Sequence, residues 1–299
     1  MDGYRIRSLK SLKTVRPNGL FVTDLDGTLL NNQRKISNGD LQALQRLRDL
    51  GYLSAIATGR SNYSFSKLME TLGYTDNSVS LPIDFLIFST GTGIMELPET
   101  TLLKSFSLGP RDVLCISEYL DSYGLDYMVH NPVPDTKYFY YNYRTGNNTD
   151  FDARLKLYQD FAVPLRPEHL NNSQGATEVL CIVPRNEGHA VAKQLAKDLS
   201  QYSVIKATSP LDGQSIWVEI FAPGVSKSNA VEWLCQSVGI NRQKVFAVGN
   251  DYNDEDMLHW AAKGFLVENG PVELKPHFEV VASNEAGGVT EAIDRWLQS

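Results

Sequence analysis

Five short apolar runs constrain what this chain can fold into. Leu20, Phe21 and Val22 form the first, and "LSAIATGR", ending its strand at Thr58, the second. "DFLIFS" (84–89), "KVFAVGND" (244–251) and "KGFLV" (263–267) follow. Runs without polar alternation suit strands covered on both faces. Between the first two, Leu41, Leu44, Leu47 and Leu50 recur at helical spacing, with Ser37 or Asn38 as cap and Gly51 as stop. Strands alternating with helices imply a parallel sheet with helices on both faces. In such sheets ligands bind beyond the carboxyl ends of the strands. Asp24, Asp26, Thr58, Asn250 and Asp251 all fall at those ends.

Residues 95–210 read differently. They are richer in aromatic and polar residues, with "KYFYYNYR" (137–144) and "TEVLCIVP" (177–184) as strands and "GHAVAKQLAKDLS" (188–200) as an amphipathic helix. The expectation is a Rossmann-like α/β core, 19–94 and 211–299, carrying an inserted α+β domain at 95–210. Residues 1–18 have five basic residues and one acid, without the apolar stretch of a signal peptide, and read as a loosely held leader.

A net charge of -7 argues against general binding to nucleic acid or to an anionic membrane. No run approaches 18 apolar residues, so no membrane span is expected. Cys115, Cys181 and Cys235 are scattered singly, which excludes a CxxC-type zinc cluster and fits free thiols in a reducing, cytoplasmic compartment. Oligomeric state is not legible.

Four segments carry chemistry. In "DLDGT" Asp24 and Asp26 are two positions apart, so on extended backbone their carboxylates share a side. Two close carboxylates repel unless something neutralises them, and oxygen ligands with open positions suit Mg2+. Thr58-Gly59-Arg60 offers a hydroxyl and a loop N–H to a phosphate oxygen. In "PGVSKSNAVEWL" Ser226 can cap a helix whose first turn holds Lys227, where the helix dipole disfavours a cation. That lysine calls for an anion, either carboxylates or a bound phosphate. "GNDYNDEDML" supplies Asn250, Asp251, Asn253 and Asp254 at a strand end. Each segment alone also reads as an ordinary turn or helix start, and only their order is specific.

In that order the segments resemble the haloacid dehalogenase superfamily, in its Cof-type phosphatase branch with a type IIB cap. The resemblance spans residues 20–299, includes the ending "SNEAGGVTEAI", and puts the inserted middle where the cap belongs. It implies Asp24 as nucleophile and Asp26 as general acid and base. It implies Thr58, Gly59, Lys227 and Asn253 around the phosphate, and Asp24, the Asp26 carbonyl, Asn250 and Asp254 at a Mg2+ site, the last through water. The second aspartate of the first motif favours phosphoryl transfer over carbon–halogen cleavage. The implied function is a Mg2+-dependent phosphatase acting on a small phosphorylated metabolite such as a sugar phosphate. The alternatives are a hexose-phosphate phosphomutase and a non-catalytic phospho-ligand binding protein.

Two departures stand out. Asn250 occupies the position of an aspartate that ligates the metal in the family, with Asp251 one residue on as the competing ligand. "STGTG" (89–93) replaces the branch's usual Asn-Gly step. Within the insert, His130, Lys137 and Arg144 are candidates to touch the leaving group, each with a simpler reading as a surface or strand residue.

Overall fold

The computed structural model describes residues 17–74, 81–97 and 100–299. The leader expected at 1–18 therefore lies outside the described residues apart from its last two. The chain divides into two compact units: residues 1–60, 64–105 and 226–299, and residues 61–63 with 106–225.

The first unit is built on an eight-stranded sheet. Its elements run β1 (Leu20–Thr23), α1 (Asn38–Asp49), β2 (Leu53–Ala57), α2 (Asn62–Leu72), β3 (Phe85–Phe88), β4 (Gly93–Glu96) and β5 (Thr101–Ser105) before the second unit intervenes. The second unit contributes α3 (Pro110–Ser122), β6 (Tyr127–His130), β7 (Phe139–Asn142), α4 (Thr149–Leu157), β8 (Ala162–Pro164), α5 (Pro167–Asn171), β9 (Glu178–Val183), α6 (Arg185–Asp198), β10 (Ser203–Thr208) and β11 (Ile216–Phe221). The first unit then resumes with α7 (Lys227–Val238), β12 (Val245–Gly249), α8 (Glu255–Trp260), β13 (Lys263–Val267), β14 (Glu279–Val281) and α9 (Gly288–Gln298).

Strand order in the first sheet is β14-β13-β12-β1-β2-β3-β4-β5. Pairing is parallel from β14 to β3, as the apolar runs predict, and antiparallel across β4 and β5. The chain winds outward from β1 through β2 and β3 and later returns through β12 on the other side of β1. The order therefore reverses between β1 and β12, and a doubly wound sheet places its ligand crevice at such a point. One face is covered by Val231, Leu234 and Cys235 of α7 and by Met257 and Leu258 of α8, packed on Val22, Ala55, Ala57 and Ile87. On the other face Phe246 stacks between Phe21 and Trp296 of α9.

The second unit is a six-stranded sheet, β10-β11-β9-β6-β7-β8, antiparallel except where β7 meets β8. Two expected boundaries move. Strands β4 and β5 extend the first sheet, so the insertion begins near 106, not at 95. At the other end "SPLDGQS" (209–215) is the turn of the β10–β11 hairpin, so the second sheet runs on to Phe221, past 210. A polar, glycine-bearing turn looks the same in sequence whether it joins two domains or two paired strands.

Candidate active site

Helix α7 begins at Ser226, whose hydroxyl accepts from the Asn229 amide. That cap fixes the first turn and with it Lys227, which is fully buried. Lys227 Nζ donates to Asp24 Oδ1 at 2.8 Å and to Asp254 Oδ1 at 2.5 Å. The anion that offsets the dipole is thus a pair of carboxylates. Asp24 leaves β1 with its amide still on the Val248 carbonyl, 2.9 Å away. Burial pushes its carboxyl up to about 7, with repulsion from Asp254 adding to the rise and Lys227 opposing it. The same two aspartates hold the Lys227 ammonium well above its ordinary range against the opposing effect of burial.

Asp254 sits one layer behind. Its Oδ2 accepts from the amides of Asn250 and Asp251, and its Oδ1 from Lys227. It orders the loop after β12 and joins that loop to α7. Gly249 is needed there, because a Cβ would lie 2.6 Å from Asp254 Cβ.

Asn250 turns toward the first motif. One terminal atom of its amide stands 3.0 Å from Thr28 Oγ1, 3.0 Å from Asp24 Oδ2 and 3.1 Å from the Asp26 carbonyl oxygen. With nitrogen there the amide donates to all three. With oxygen there it accepts from Thr28, and three oxygens converge. Gly27, at φ +78°, makes room for this amide: a Cβ would lie 2.6 Å from Nδ2.

Thr58 and Gly59 follow β2. The Thr58 hydroxyl accepts from the Arg60 amide at 3.1 Å, which leaves its own proton to donate. A Cβ on Gly59 would stand 3.6 Å from Asn253 Nδ2 and 3.7 Å from Thr90 Oγ1, both ordinary contacts, so Asn253 borders this loop. Ser89 and Thr90, in the "STGTG" stretch, hold φ of 45° and 56°, a left-handed conformation unusual outside glycine. Such conformations cost about 1–3 kcal/mol each and gather at functional sites.

Arg60 was missed as a site residue. Its guanidinium forks Asp26 through Nε to Oδ2 and Nη2 to Oδ1. The signal was present, since a cation one residue after a phosphate-type loop stands at the same strand ends as Asp26, but spacing alone did not name its partner.

The three residues considered in the insert are differently placed. His130 is buried, with Nδ1 2.9 Å from the Thr136 carbonyl. Burial, with Arg154 beside it, lowers its imidazole to about 3. Arg144 pairs with Asp121 at 3.1 Å. Lys137 lies over the Tyr138 and Phe161 rings, about 5.1 Å from each centroid.

A cation site fits these atoms. Among the described residues no cluster of three or more His, Cys, Asp or Glu side chains forms, so a cation here would draw on amide and carbonyl oxygen beside the Asp24 carboxylate. Mg2+ holds oxygens at about 2.0–2.1 Å in an octahedron, which sets neighbouring ligands about 3 Å apart. The spacings of the Asn250 atom from Asp24 Oδ2 and from the Asp26 carbonyl are of that size.

A family model described as haloacid dehalogenase-like hydrolase matches residues 21–293. The chain is 28% identical over 280 residues to a provisionally named phosphatase of Streptococcus pyogenes serotype M6, covering 93% of this chain and 98% of that one. It is 25% identical over 293 residues to the 5-amino-6-(5-phospho-D-ribitylamino)uracil phosphatase YitU of Bacillus subtilis, covering 93% and 97%. Among solved structures, a haloacid dehalogenase subclass IIB sugar phosphatase superposes with a TM-score of 0.70 at 17% identity, over 93% of this chain and 98% of the other. A Bacteroides thetaiotaomicron phosphatase superposes with a TM-score of 0.73 at 15% identity, over 95% and 97%.

Proposed function

Because this chain belongs to the haloacid dehalogenase-like hydrolase family, as a phosphatase of the Cof type, we propose that it is a Mg2+-dependent enzyme hydrolysing a small phosphorylated metabolite, a sugar phosphate, through an aspartyl-phosphate on Asp24. The second unit is its type IIB cap. The observation that carries this reading is the state of the Asp24 carboxylate. Lys227 holds Oδ1, while Oδ2 faces Asn250 beside the Asp26 carbonyl.

Attack by Asp24 forms a bond to phosphorus as the bond to the leaving oxygen breaks. Asp26 gives its proton to that oxygen. Asp26 then takes a proton from water, whose oxygen attacks phosphorus and releases inorganic phosphate and the Asp24 carboxylate. Thr58, Lys227 and Asn253 supply donors to the phosphoryl oxygens as charge develops. Asp24, the Asp26 carbonyl and Asn250 would hold Mg2+, with Asp254 ordering the loop. When bound, the ion neutralises the phosphoryl group and Asp24 together.

The sugar-phosphate reading draws on the subclass IIB sugar phosphatase that shares the fold. The three unpaired cysteines support a reducing compartment such as the cytoplasm. The test is phosphate release from p-nitrophenyl phosphate with and without Mg2+, then from a panel of sugar phosphates. Mg2+-dependent release, with one sugar phosphate preferred, is expected. No release from any compound would overturn the proposal. Phosphate moved within a hexose phosphate, without release, would make the enzyme a mutase.

A further inference from the structure

The turn that ends β3 is strained in a way the sheet does not demand. Ser89 and Thr90 hold consecutive left-handed φ angles of 45° and 56°, and both are buried. An L side chain takes this conformation rarely, and a β-branched one least of all. Thr92 secures the turn. Its hydroxyl donates to the Ser89 carbonyl at 2.7 Å and its amide to the same oxygen at 3.0 Å. Gly91, at φ +106°, lets the turn close on the start of α7, since a Cβ there would stand 2.3 Å from the Ser226 carbonyl oxygen.

What the turn holds is the loop after β2. Strands β2 and β3 are parallel, with Ala57 beside Ile87, and the Thr58 amide still donates to the Ile87 carbonyl at 2.8 Å. In a regular parallel ladder the next bond would run from the Ser89 amide to the Thr58 carbonyl. Here the Thr90 amide takes that carbonyl at 3.0 Å, and the Ser89 amide reaches past it to the Arg60 carbonyl at 2.8 Å. Two successive N–H groups thus grip the carbonyls on either side of Gly59.

Peptide geometry then aims the loop's remaining donor. The Thr58–Gly59 peptide is trans and planar, so fixing the Thr58 carbonyl on Thr90 turns the Gly59 N–H to the opposite side. The Arg60 amide is taken by Thr58 Oγ1, whereas the Gly59 amide has no partner among the described residues. We propose that the Ser89–Thr90 turn is a positioning device for phosphoryl transfer, gripping the loop at two carbonyls so that the Gly59 N–H is held to donate to a phosphoryl oxygen. This rests on the phosphatase reading. Glycine would take the same φ without strain but would be free to leave it, whereas the packed side chains of Ser89 and Thr90 lock the turn.

The test uses the full-length protein with Mg2+. Thr92→Val is isosteric and removes the hydroxyl that ties Ser89, while Thr92→Ser keeps it. Ser89→Val opposes a left-handed φ, while Ser89→Gly permits it. Both valine variants should lower kcat for p-nitrophenyl phosphate at least about 10-fold, toward the roughly 10²–10³-fold loss of a removed oxyanion donor, with KM within about 3-fold. Thr92→Ser and Ser89→Gly should each recover most of the loss. A second readout needs no turnover. In protein labelled with 15N-glycine, orthovanadate should shift the Gly59 amide resonance, identified by its absence in Gly59→Ala, and the response should weaken in Thr92→Val. A Gly59 resonance indifferent to orthovanadate in wild type would overturn the proposal. So would full kcat in both folded valine variants, or a fall in kcat while Gly59 responds as in wild type. Should Ser89→Val fail to fold, the Thr92 pair carries both comparisons. Inactivity of wild type toward every phosphate ester would sink the phosphatase reading alone, because the orthovanadate arm still decides the turn.

Discussion

Arg60 and Asp26 form a two-bond fork, Nε to Oδ2 and Nη2 to Oδ1, both 2.6 Å, and Arg60 Nη1 also reaches Ser64 Oγ at 2.9 Å. A bidentate guanidinium fixes the plane of a carboxylate, and lysine cannot reproduce it. Arg60→Lys should therefore disorient Asp26 without unfolding the chain. The expected result is a loss in kcat of about 10- to 100-fold on alkyl phosphates, within the range of general acid–base contributions. On p-nitrophenyl phosphate, whose leaving oxygen needs little protonation, the loss should be smaller. Equal losses on both would show that Arg60 does not act through Asp26.

Asp24→Asn should keep the fold and remove turnover, because an amide cannot attack phosphorus. Steady-state phosphate release should fall by at least about 10³-fold, with the far-ultraviolet circular dichroism unchanged. Activity within tenfold of wild type would refute the assignment.

Lys227 lies between two buried carboxylates, so removing it strands both. Breaking a buried ion pair from one side costs about 3–5 kcal/mol. Lys227→Met should lose stability of that order in urea melts. Adding Asn at position 24 should restore part of it, since one stranded charge is then gone.

In the proposed cation site Asn250 would bring an oxygen without a negative charge. Asn250→Asp should tighten Mg2+, seen as a larger Tm rise per added Mg2+ and a lower Mg2+ requirement for activity. Asn250→Ala should lose most of both responses. If Asp251→Ala raises the metal requirement steeply while Asn250→Ala does not, the ligand is Asp251.

Glu178 of β9 stands beside His130 of β6, and this buried pair in the second unit gives a pH signature. Glu178 is raised from 4.5 to about 7 in the fold. Its contribution is complete below pH 4.5 and is lost as pH rises through 7. His130 is lowered from 6.5 to about 3. Its contribution is complete above pH 6.5 and is lost as pH falls through 3. From 4.5 to 6.5 the two slopes oppose. Glu178→Leu removes one of them, so its Tm advantage over wild type should grow from pH 4.5 to 7 in thermal melts. A difference that stays constant with pH would rule out this titration.

The unbroken apolar runs determined the parallel centre of the first sheet, because a strand buried on both faces has no polar position to hide. Local chemistry also set Ser226 as a helix cap and Gly51 as a left-handed stop and narrowed the first helix's cap to Ser37 or Asn38, of which the structure uses Ser37, since a cap is satisfied within three residues. The apolar runs placed Asp24, Asp26, Thr58 and Asn250 at one edge, because parallel strands all end on the same side.

What the sequence could not carry was the pairing of atoms far apart in the chain. Lys227 meets Asp24 across 203 positions, and Arg60 meets Asp26 across 34. Which carboxylate each cation chooses depends on how strands stack, and strand neighbours are not written in local pattern. The antiparallel β4–β5 extension and the hairpin at 209–215 were hidden for the same reason. At the start of one turn Asp254 takes the amides of both Asn250 and Asp251, and the Asn250 side chain lies beside Asp24, a placement that local pattern does not carry. Glu178 reads as an ordinary strand residue until the sheet buries it beside His130. Burial is a property of the packed molecule, and only packing sets what a buried carboxylate costs.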